Sequence, residues 1–128
     1  MNRDIAARDA LIFGMYEPLK YLGGIRRFYG MDADTLGTLI KLGFADPHDA
    51  QNASPTAGRM LAFMREHQGY TAHGYAVELA RKDYRVTVEG LAKGTGYGSQ
   101  RELEAFISLF RNADAFEAGH NGMYCWYD

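Results

Sequence analysis

Several side chains that could do chemistry fall in one short stretch, residues 70–91, where their spacing could bring them together on a hairpin. Four of them are His73, Glu78, Arg85 and Glu89. An arginine between carboxylates could bind an anionic ligand or anchor a protein interface. The predicted register turns His73 to the face opposite Glu78, Arg85 and Glu89, beside Gly90, where the missing side chain leaves room for a pocket histidine. A solvated strand face with one ordinary ion pair explains the same residues and is the more frequent arrangement.

A second candidate is a glycine-rich connection that leads into a helix. Backbone N–H groups at Gly96, Gly98 and Ser99, together with the helix dipole, could hold an anion. The stretch matches neither the dinucleotide-binding fingerprint nor a P-loop, because no Lys-Ser/Thr pair follows the last glycine. A flexible connector is the more frequent explanation of such glycines.

Two further groups have simpler structural explanations. Asp46, His48 and Asp49 could bind a divalent metal, but their spacing fits no zinc or calcium template, and an Asx-type turn accounts for them. Cys125 has no protease-like surroundings, and a buried free cysteine behaves as a small apolar residue. We therefore predict no catalytic residue, no metal site and no cofactor.

The elements that would position these side chains start with a hairpin over residues 70–91. Apolar and aromatic residues alternate on both sides of a charged turn, which is typical of half-buried strands. The predicted register pairs Leu79 with Tyr84, Val77 with Val86, and Tyr75 with Val88 on one face. The other face pairs Glu78 with Arg85. A slip of one residue would mix the apolar and charged sets.

The chain before this hairpin is predicted to be mainly helical. Helices are expected over residues 2–15, 19–28 with a kink at Gly23-Gly24, 34–42, and from an N-cap at Ser54 to about His67.

The chain after the hairpin combines a helix with a second hairpin. Ser99 and Glu102 form a capping-box pattern, and Leu103, Phe106 and Phe110 follow at helical spacing. The Asn121-Gly122 pair predicts a two-residue turn that places His120 opposite Met123. That register turns Cys125 toward the core and leaves Trp126 partly exposed on the other face.

Together these elements predict one α+β domain. Residues 1–69 form its mainly helical part, and residues 70–128 form a hairpin, a helix and a hairpin. The two hairpins are expected to join into one antiparallel sheet with a helix packed on it.

Composition narrows the classes of partner. A hydrophobic fraction of 47% and a charged fraction of 23% are typical of a globular domain. The net charge of -2 argues against a nucleic-acid partner. The single cysteine and the absence of a secretory segment favour the cytoplasm, and no apolar run is long enough for a membrane span.

Two classes of function remain open. The first is a non-enzymatic module that binds a protein partner, a second copy of itself as a homodimer, or a small ligand, which could be anionic. Its predicted surface comprises His73, Glu78, Arg85, Glu89 and Trp126. The alternative is a winged-helix DNA-binding regulator, with helix 55–67 as the recognition helix and hairpin 75–88 as the wing.

Overall fold

Five antiparallel strands form one sheet, and the helices pack on a single face of it. The computed structural model describes residues 1–128 throughout. The helices are α1 (Ile5–Phe13), α2 (Ala33–Lys41), α3 (Ala57–Glu66) and α4 (Gln100–Phe110), with a short 3-10 turn at Pro18–Lys20. The strands are β1 (Ile25–Met31), β2 (Thr71–Val77), β3 (Val86–Lys93), β4 (Ala115–Ala118) and β5 (Met123–Trp126), in the spatial order β1-β2-β3-β5-β4. The predicted α+β class with an antiparallel sheet is confirmed.

The hydrophobic core lies between the helices and one face of the sheet. Its central members include Leu36, Leu39, Met60, Ala76, Val86, Val88, Leu91, Phe106, Phe110 and Cys125. Phe106 and Phe110 come from the face of α4 whose apolar spacing predicts this packing. None of the helices is long and apolar enough to cross a membrane.

The start of α3 differs from the prediction by two residues. The N-cap is Thr56, whose side chain accepts the N–H of Arg59 at 3.2 Å. Ser54 instead accepts the N–H of Gln51 at 2.8 Å, so it closes the turn before the helix. The N-cap predicted for α4 is confirmed at Ser99, and α2 begins after an N-cap at Asp32.

The largest departure from the predicted secondary structure is β1. The prediction of a kinked helix over residues 19–28 is wrong, because residues 25–31 form an edge strand that pairs with β2. Gly23 and Gly24 adopt φ angles of 63° and 82°, which end helical structure rather than bend it. The part of the chain predicted to be mainly helical therefore contributes one strand to the sheet.

The same strand removes the arrangement that a winged-helix protein needs. The first of its three helices is absent, and the hairpin predicted to be a protruding wing lies inside the sheet between β1 and β5. The predicted recognition helix buries Met60, Phe63 and Met64 in the core. The chain therefore does not form the winged-helix arrangement.

A β-bulge divides the hairpin formed by β2 and β3. On one side of it His73 pairs with Gly90, as the predicted register requires. On the other side Ala76, not Val77, pairs with Val86, so the predicted register is wrong there by one residue. Glu89 is the extra residue of β3, and the alternation of side chains does not reveal such an insertion.

The bulge exchanges the faces of several side chains. Tyr75 lies on the face opposite the helices, although the predicted register places it in the core. Val77 is fully buried, as predicted, but it does not belong to the main core cluster. The predicted ion pair between Glu78 and Arg85 does not form. Arg85 instead pairs with Asp83 at 2.9 Å.

The C-terminal hairpin has a wider turn than predicted. Met123 pairs with Ala118 rather than His120, which leaves residues 119–122 as a four-residue loop. The Asn-Gly pair in this loop has no positive φ, whereas a type I′ turn needs positive φ at both positions. Because the register shifts by two residues, Cys125 still faces the core, as predicted.

A buried polar cluster that the sequence pattern did not predict attaches α1 to the end of the sheet. Arg8 and Asp9 are sealed from solvent and pair at 2.9 Å. The Arg8 guanidinium also donates to the carbonyl of Val77 at 2.8 Å and to the Tyr21 hydroxyl at 2.7 Å. Tyr21 donates in turn to Asp9, and the guanidinium lies 4.7 Å from the centre of the Tyr84 ring.

Candidate functional site

The face of the sheet opposite the helices, here called the open face, carries arginine, aromatic and carboxylate side chains. Its members are Arg27, His73, Tyr75, Arg85, Thr87, Glu89, Tyr124 and Trp126. No helix covers this layer. Arginine, tyrosine and tryptophan are the side chains most enriched at binding hot spots.

One cavity of about 230 Å³ on the open face, here called the open-face pocket, brings predicted site residues together. It is lined by Arg27, Tyr29, His73, Gly74, Glu89, Tyr124 and Trp126. Three of the five residues predicted for the ligand or partner surface, His73, Glu89 and Trp126, therefore meet in one place. The partial exposure predicted for Trp126 is confirmed.

Glu89 supplies a buried carboxylate at this pocket. As the extra residue of the bulge, it turns its side chain into the open face, where only 4% of that side chain is exposed. Arg27, 49% exposed, donates to Oε1 at 2.8 Å. No protein group donates to Oε2, so one oxygen of a nearly buried carboxylate is left without a protein partner.

His73 supplies a second acceptor. Its Nε2 lies 3.0 Å from the carbonyl oxygen of Cys125. Since a carbonyl can only accept, Nε2 carries the proton and the neutral ring keeps Nδ1 as a free acceptor. Burial lowers the pKa of His73, and the hydrogen bond to Cys125 opposes this shift without cancelling it. The ring is therefore neutral near pH 7.

The surroundings of His73 hold its ring in one orientation. The ring stacks on Tyr124, with centroids 5.1 Å apart and planes inclined by 12°. A Cβ at Gly90 would lie 2.7 Å from Nε2, so the space predicted beside this glycine is confirmed. The glycine lets strand β3 pass close to the ring.

Both free acceptors are open to solvent through the pocket. Only one sealed side-chain polar atom in the protein lacks a partner, and it is Nη1 of Arg26. The unpartnered Oε2 of Glu89 and Nδ1 of His73 are therefore not sealed, and both residues line the pocket. The site thus combines two acceptors with aromatic walls.

The other two predicted surface residues lie outside this pocket. Glu78 faces a separate cavity beside Tyr21 and Leu79. Arg85 lies farther along the open face, where it donates to the Tyr75 hydroxyl at 2.8 Å and to Thr87 at 2.7 Å. The structure therefore divides the predicted surface into three parts.

The N-terminus of α4 already holds a carboxylate of the chain itself. The N–H of Gly98 donates to Glu102 at 3.0 Å, and Ser99 accepts the N–H of Glu102 at 3.1 Å. Lys93 and the Tyr70 hydroxyl each lie 2.7 Å from the other oxygen of Glu102. Burial by itself would raise the pKa of Glu102, but Lys93, Gly98 and Tyr70 outweigh it and lower the pKa.

The rest of the glycine-rich connection serves packing. A Cβ at Gly96 would lie 2.2 Å from the carbonyl oxygen of His120, so this glycine lets the connection cross the C-terminal loop. Of the N–H groups predicted to hold an anion at Gly96, Gly98 and Ser99, that of Gly98 is engaged by Glu102 within the protein. The predicted Asx-type turn at Asp46 is confirmed, since its side chain accepts the N–H of His48 at 2.9 Å.

A larger cleft of about 520 Å³ lies near the end of β5. Four of its polar side chains, those of Asn52, Asn112, Asp114 and Tyr127, already bond to one another or to the backbone. Asn112 donates to the carbonyl of Ala53 at 3.0 Å and accepts from Tyr127 at 2.7 Å. Asp114 accepts the N–H of Asp128 at 2.8 Å.

Sequence reasoning missed two pocket residues, Arg27 and Tyr29, because both belong to the strand predicted as a helix. Residues 25–29 read Ile-Arg-Arg-Phe-Tyr and do not alternate apolar with polar side chains, so no period-two pattern indicated a strand. The spacing of Ile25 and Phe28 with the leucines just upstream indicated a helix instead.

No protein-family model, curated protein or solved structure matches the chain. The geometry of the open-face pocket is therefore the basis for assigning a function.

Proposed function

We propose that the protein is a non-enzymatic binding module and that its open-face pocket takes a small planar ligand that donates hydrogen bonds. The observation that carries this proposal is the presence of two free acceptors, Oε2 of Glu89 and Nδ1 of His73, in one aromatic-lined pocket.

The walls favour a planar ligand. Tyr29, Tyr124 and Trp126 present ring surfaces around a volume of about 230 Å³, which accommodates a ring system of one or two fused rings. Stacking of such a ring on an aromatic side chain contributes roughly 1–3 kcal/mol. The ring of Tyr124 is already held in place by His73.

The polar groups favour a ligand with N–H donors. A buried acceptor that loses water without gaining a partner costs roughly 1–3 kcal/mol, so a ligand lacking donors would be penalised at both Glu89 and His73. An anionic ligand gains little here, because Arg27 is the only cation at the pocket and is already paired with Glu89. Aromatic nitrogen heterocycles combine both properties.

The groups at this site support binding rather than covalent chemistry. The single cysteine is sealed beneath the sheet, and burial raises the pKa of Cys125 to about 12, so its thiolate is not available. The pocket itself contains no serine, threonine or lysine.

Titration with adenine and with cytosine tests the proposal. The chain has one tryptophan, Trp126, so its fluorescence reports directly on the pocket. We expect at least one of the two heterocycles to change it, with Kd in the range of about 10 µM to 1 mM. Benzoate, which is planar but has no N–H donor, should leave the fluorescence unchanged.

Two variants complete this experiment. Glu89→Gln replaces an acceptor with an amide and should weaken binding at least about tenfold. Glu104→Gln changes an exposed carboxylate on α4 and should bind as the unaltered protein does. A lack of response to both heterocycles, or equal affinity in Glu89→Gln, would show that this pocket has a different role.

A further inference from the structure

Exposed apolar side chains are concentrated in one segment, residues 11–22, which shares no residue with the open-face pocket. They are Leu11, Met15, Tyr16, Leu19 and Leu22. Leu19 is 95% exposed and Leu22 is 79% exposed, so both side chains project almost entirely into solvent. Large apolar side chains exposed together in one segment suit an interaction surface.

A cavity lies at the base of the turn that projects Leu19. Its volume is about 370 Å³, and its apolar lining consists of Ile5, Tyr16, Pro18, Tyr21, Leu79 and Ala80. Pro18 opens the 3-10 turn, and the N–H of Tyr21 donates to its carbonyl at 3.2 Å, so the turn holds Leu19 outward. A projecting leucine and an apolar cavity therefore lie side by side.

We propose that this surface, the N-terminal patch (residues 11–22 and 78–80), joins two copies of the chain about a two-fold axis. Leu19 of each copy enters the cavity of the other. A two-fold interface needs a surface that is complementary to itself, and adjacent projection and cavity provide this property.

The charges of the patch also suit a two-fold interface, because the patch carries one cation and one anion that can meet across it. Glu78 lies at the cavity and makes no ion pair within the chain. Lys20, next to the projecting leucine, makes only an exposed contact of 3.4 Å with Glu17. When Leu19 enters the cavity of a second copy, Lys20 is brought to the Glu78 of that copy, and the two-fold axis forms this pair twice.

The size of the patch indicates how tightly the two copies are expected to associate. A standard specific interface covers roughly 800 Å² per partner, about a tenth of a small protein's surface. A tenth of the 6946 Å² of this chain is roughly 700 Å². The patch has fewer residues than the roughly 20–30 of a standard interface, so we expect a reversible dimer with Kd in the micromolar range.

Sedimentation velocity of the full chain, from about 1 µM to about 500 µM, tests the proposal. We expect a monomer–dimer equilibrium that Leu19→Ser weakens about a hundredfold or more, because a symmetric interface loses the buried leucine twice. Leu42→Ser removes a leucine of similar type that is 48% exposed elsewhere, and it should leave the equilibrium unchanged.

A charge exchange tests the pairing itself. Lys20→Glu and Glu78→Lys should each weaken the dimer, and the double variant should restore much of the loss because the opposite charges meet again. A protein that stays monomeric at all concentrations, or a dimer that is equally strong in Leu19→Ser, overturns the proposal. A double variant no stronger than the two single variants overturns the two-fold pairing of Lys20 with Glu78.

Discussion

His73 shows how the position of one side chain determines what it can offer a ligand. A histidine exposed on a strand would exchange protons freely near neutral pH, whereas burial lowers the pKa of His73. The carbonyl of Cys125 holds the proton on Nε2, and the Tyr124 ring holds the plane of the imidazole. His73 therefore offers a ligand a neutral acceptor of fixed direction rather than a protonated ring.

The lowered pKa of His73 has a consequence for stability that can be measured. The folded protein resists protonation of this ring, whereas the unfolded chain takes up the proton near pH 6.5. Stability should therefore fall as the pH drops below about 6.5, until the folded-state pKa is reached. We expect urea unfolding to show this decrease in the unaltered protein and to lose much of it in His73→Gln.

A second histidine provides the control for this measurement. His48→Gln changes an exposed ring and should keep the decrease. Glu102 contributes in a different window, because its pKa is lowered from 4.5 and its stabilisation is lost only as the pH falls below that value. The free energy of unfolding should fall more steeply between about pH 6.5 and pH 5 in the unaltered protein than in His73→Gln. Equal slopes in the two proteins would contradict the lowered pKa of His73.

At the scale of the elements, the hairpins were predictable but their registers were not. Alternation of apolar residues reveals strands and the face that each side chain takes, provided that the ladder is regular. The bulge at Glu89 breaks this regularity, so His73 was paired correctly with Gly90 while Tyr75 was assigned to the wrong face. The two-residue shift near Ala118 preserved the faces, and Cys125 was therefore placed correctly.

The missed strand β1 has a related cause. Its pairing with β2 joins residues about fifty positions apart, and local spacing carries no information about that contact. Ile25 and Phe28 continue the helical spacing of the leucines upstream, but two glycines with positive φ separate the turn from the strand. The open-face pocket was consequently half predictable, because His73, Glu89 and Trp126 belong to the predicted surface whereas Arg27 and Tyr29 of β1 do not.

Close packing between β3 and β5 gives a prediction for the glycines. A Cβ at Gly90 would lie 1.9 Å from the carbonyl oxygen of Cys125, a contact that only backbone movement could relieve. Gly90→Ala should therefore lower the free energy of unfolding by about 3 kcal/mol, the upper end of the usual cost of overpacking. Chemical denaturation measures this change.

Gly94→Ala, at the residue that directly follows β3, is the matched control. Nothing lies within 4 Å of a Cβ at Gly94, and its φ is not positive, so the substitution should be close to neutral. Comparable losses in Gly90→Ala and Gly94→Ala would show that the contact between β3 and β5 does not limit this position.

At the scale of the whole molecule, the polar cluster at Arg8 connects the N-terminal helix to the sheet. Arg8 joins α1 to the end of β2 through Val77 and to the 3-10 turn through Tyr21. Every charge in the cluster is buried and has a partner. Such a cluster adds little compared with apolar packing, but losing one member leaves a buried charge without compensation.

The expected effect of breaking this cluster is large. Arg8→Met removes the cation and leaves Asp9 buried with Tyr21 alone, which should cost about 3–5 kcal/mol of unfolding free energy. Arg101→Met removes an arginine whose side chain is 87% exposed and lies 4.0 Å from Glu66, and it should cost less than about 1 kcal/mol. Similar midpoints of urea unfolding for both variants would refute a buried anchor at Arg8.

The placement of all helices on one face of the sheet has a consequence for how this protein can change over time. Within β2 and β3, residues such as Ala76 and Val86 support the helices, while their neighbours Tyr75 and Thr87 face outward. The residues that support the helices and the residues that face the other way are therefore largely different positions of the same two strands. A lineage, or a protein engineer, could thus give the outward set a new specificity without rebuilding the scaffold that carries it.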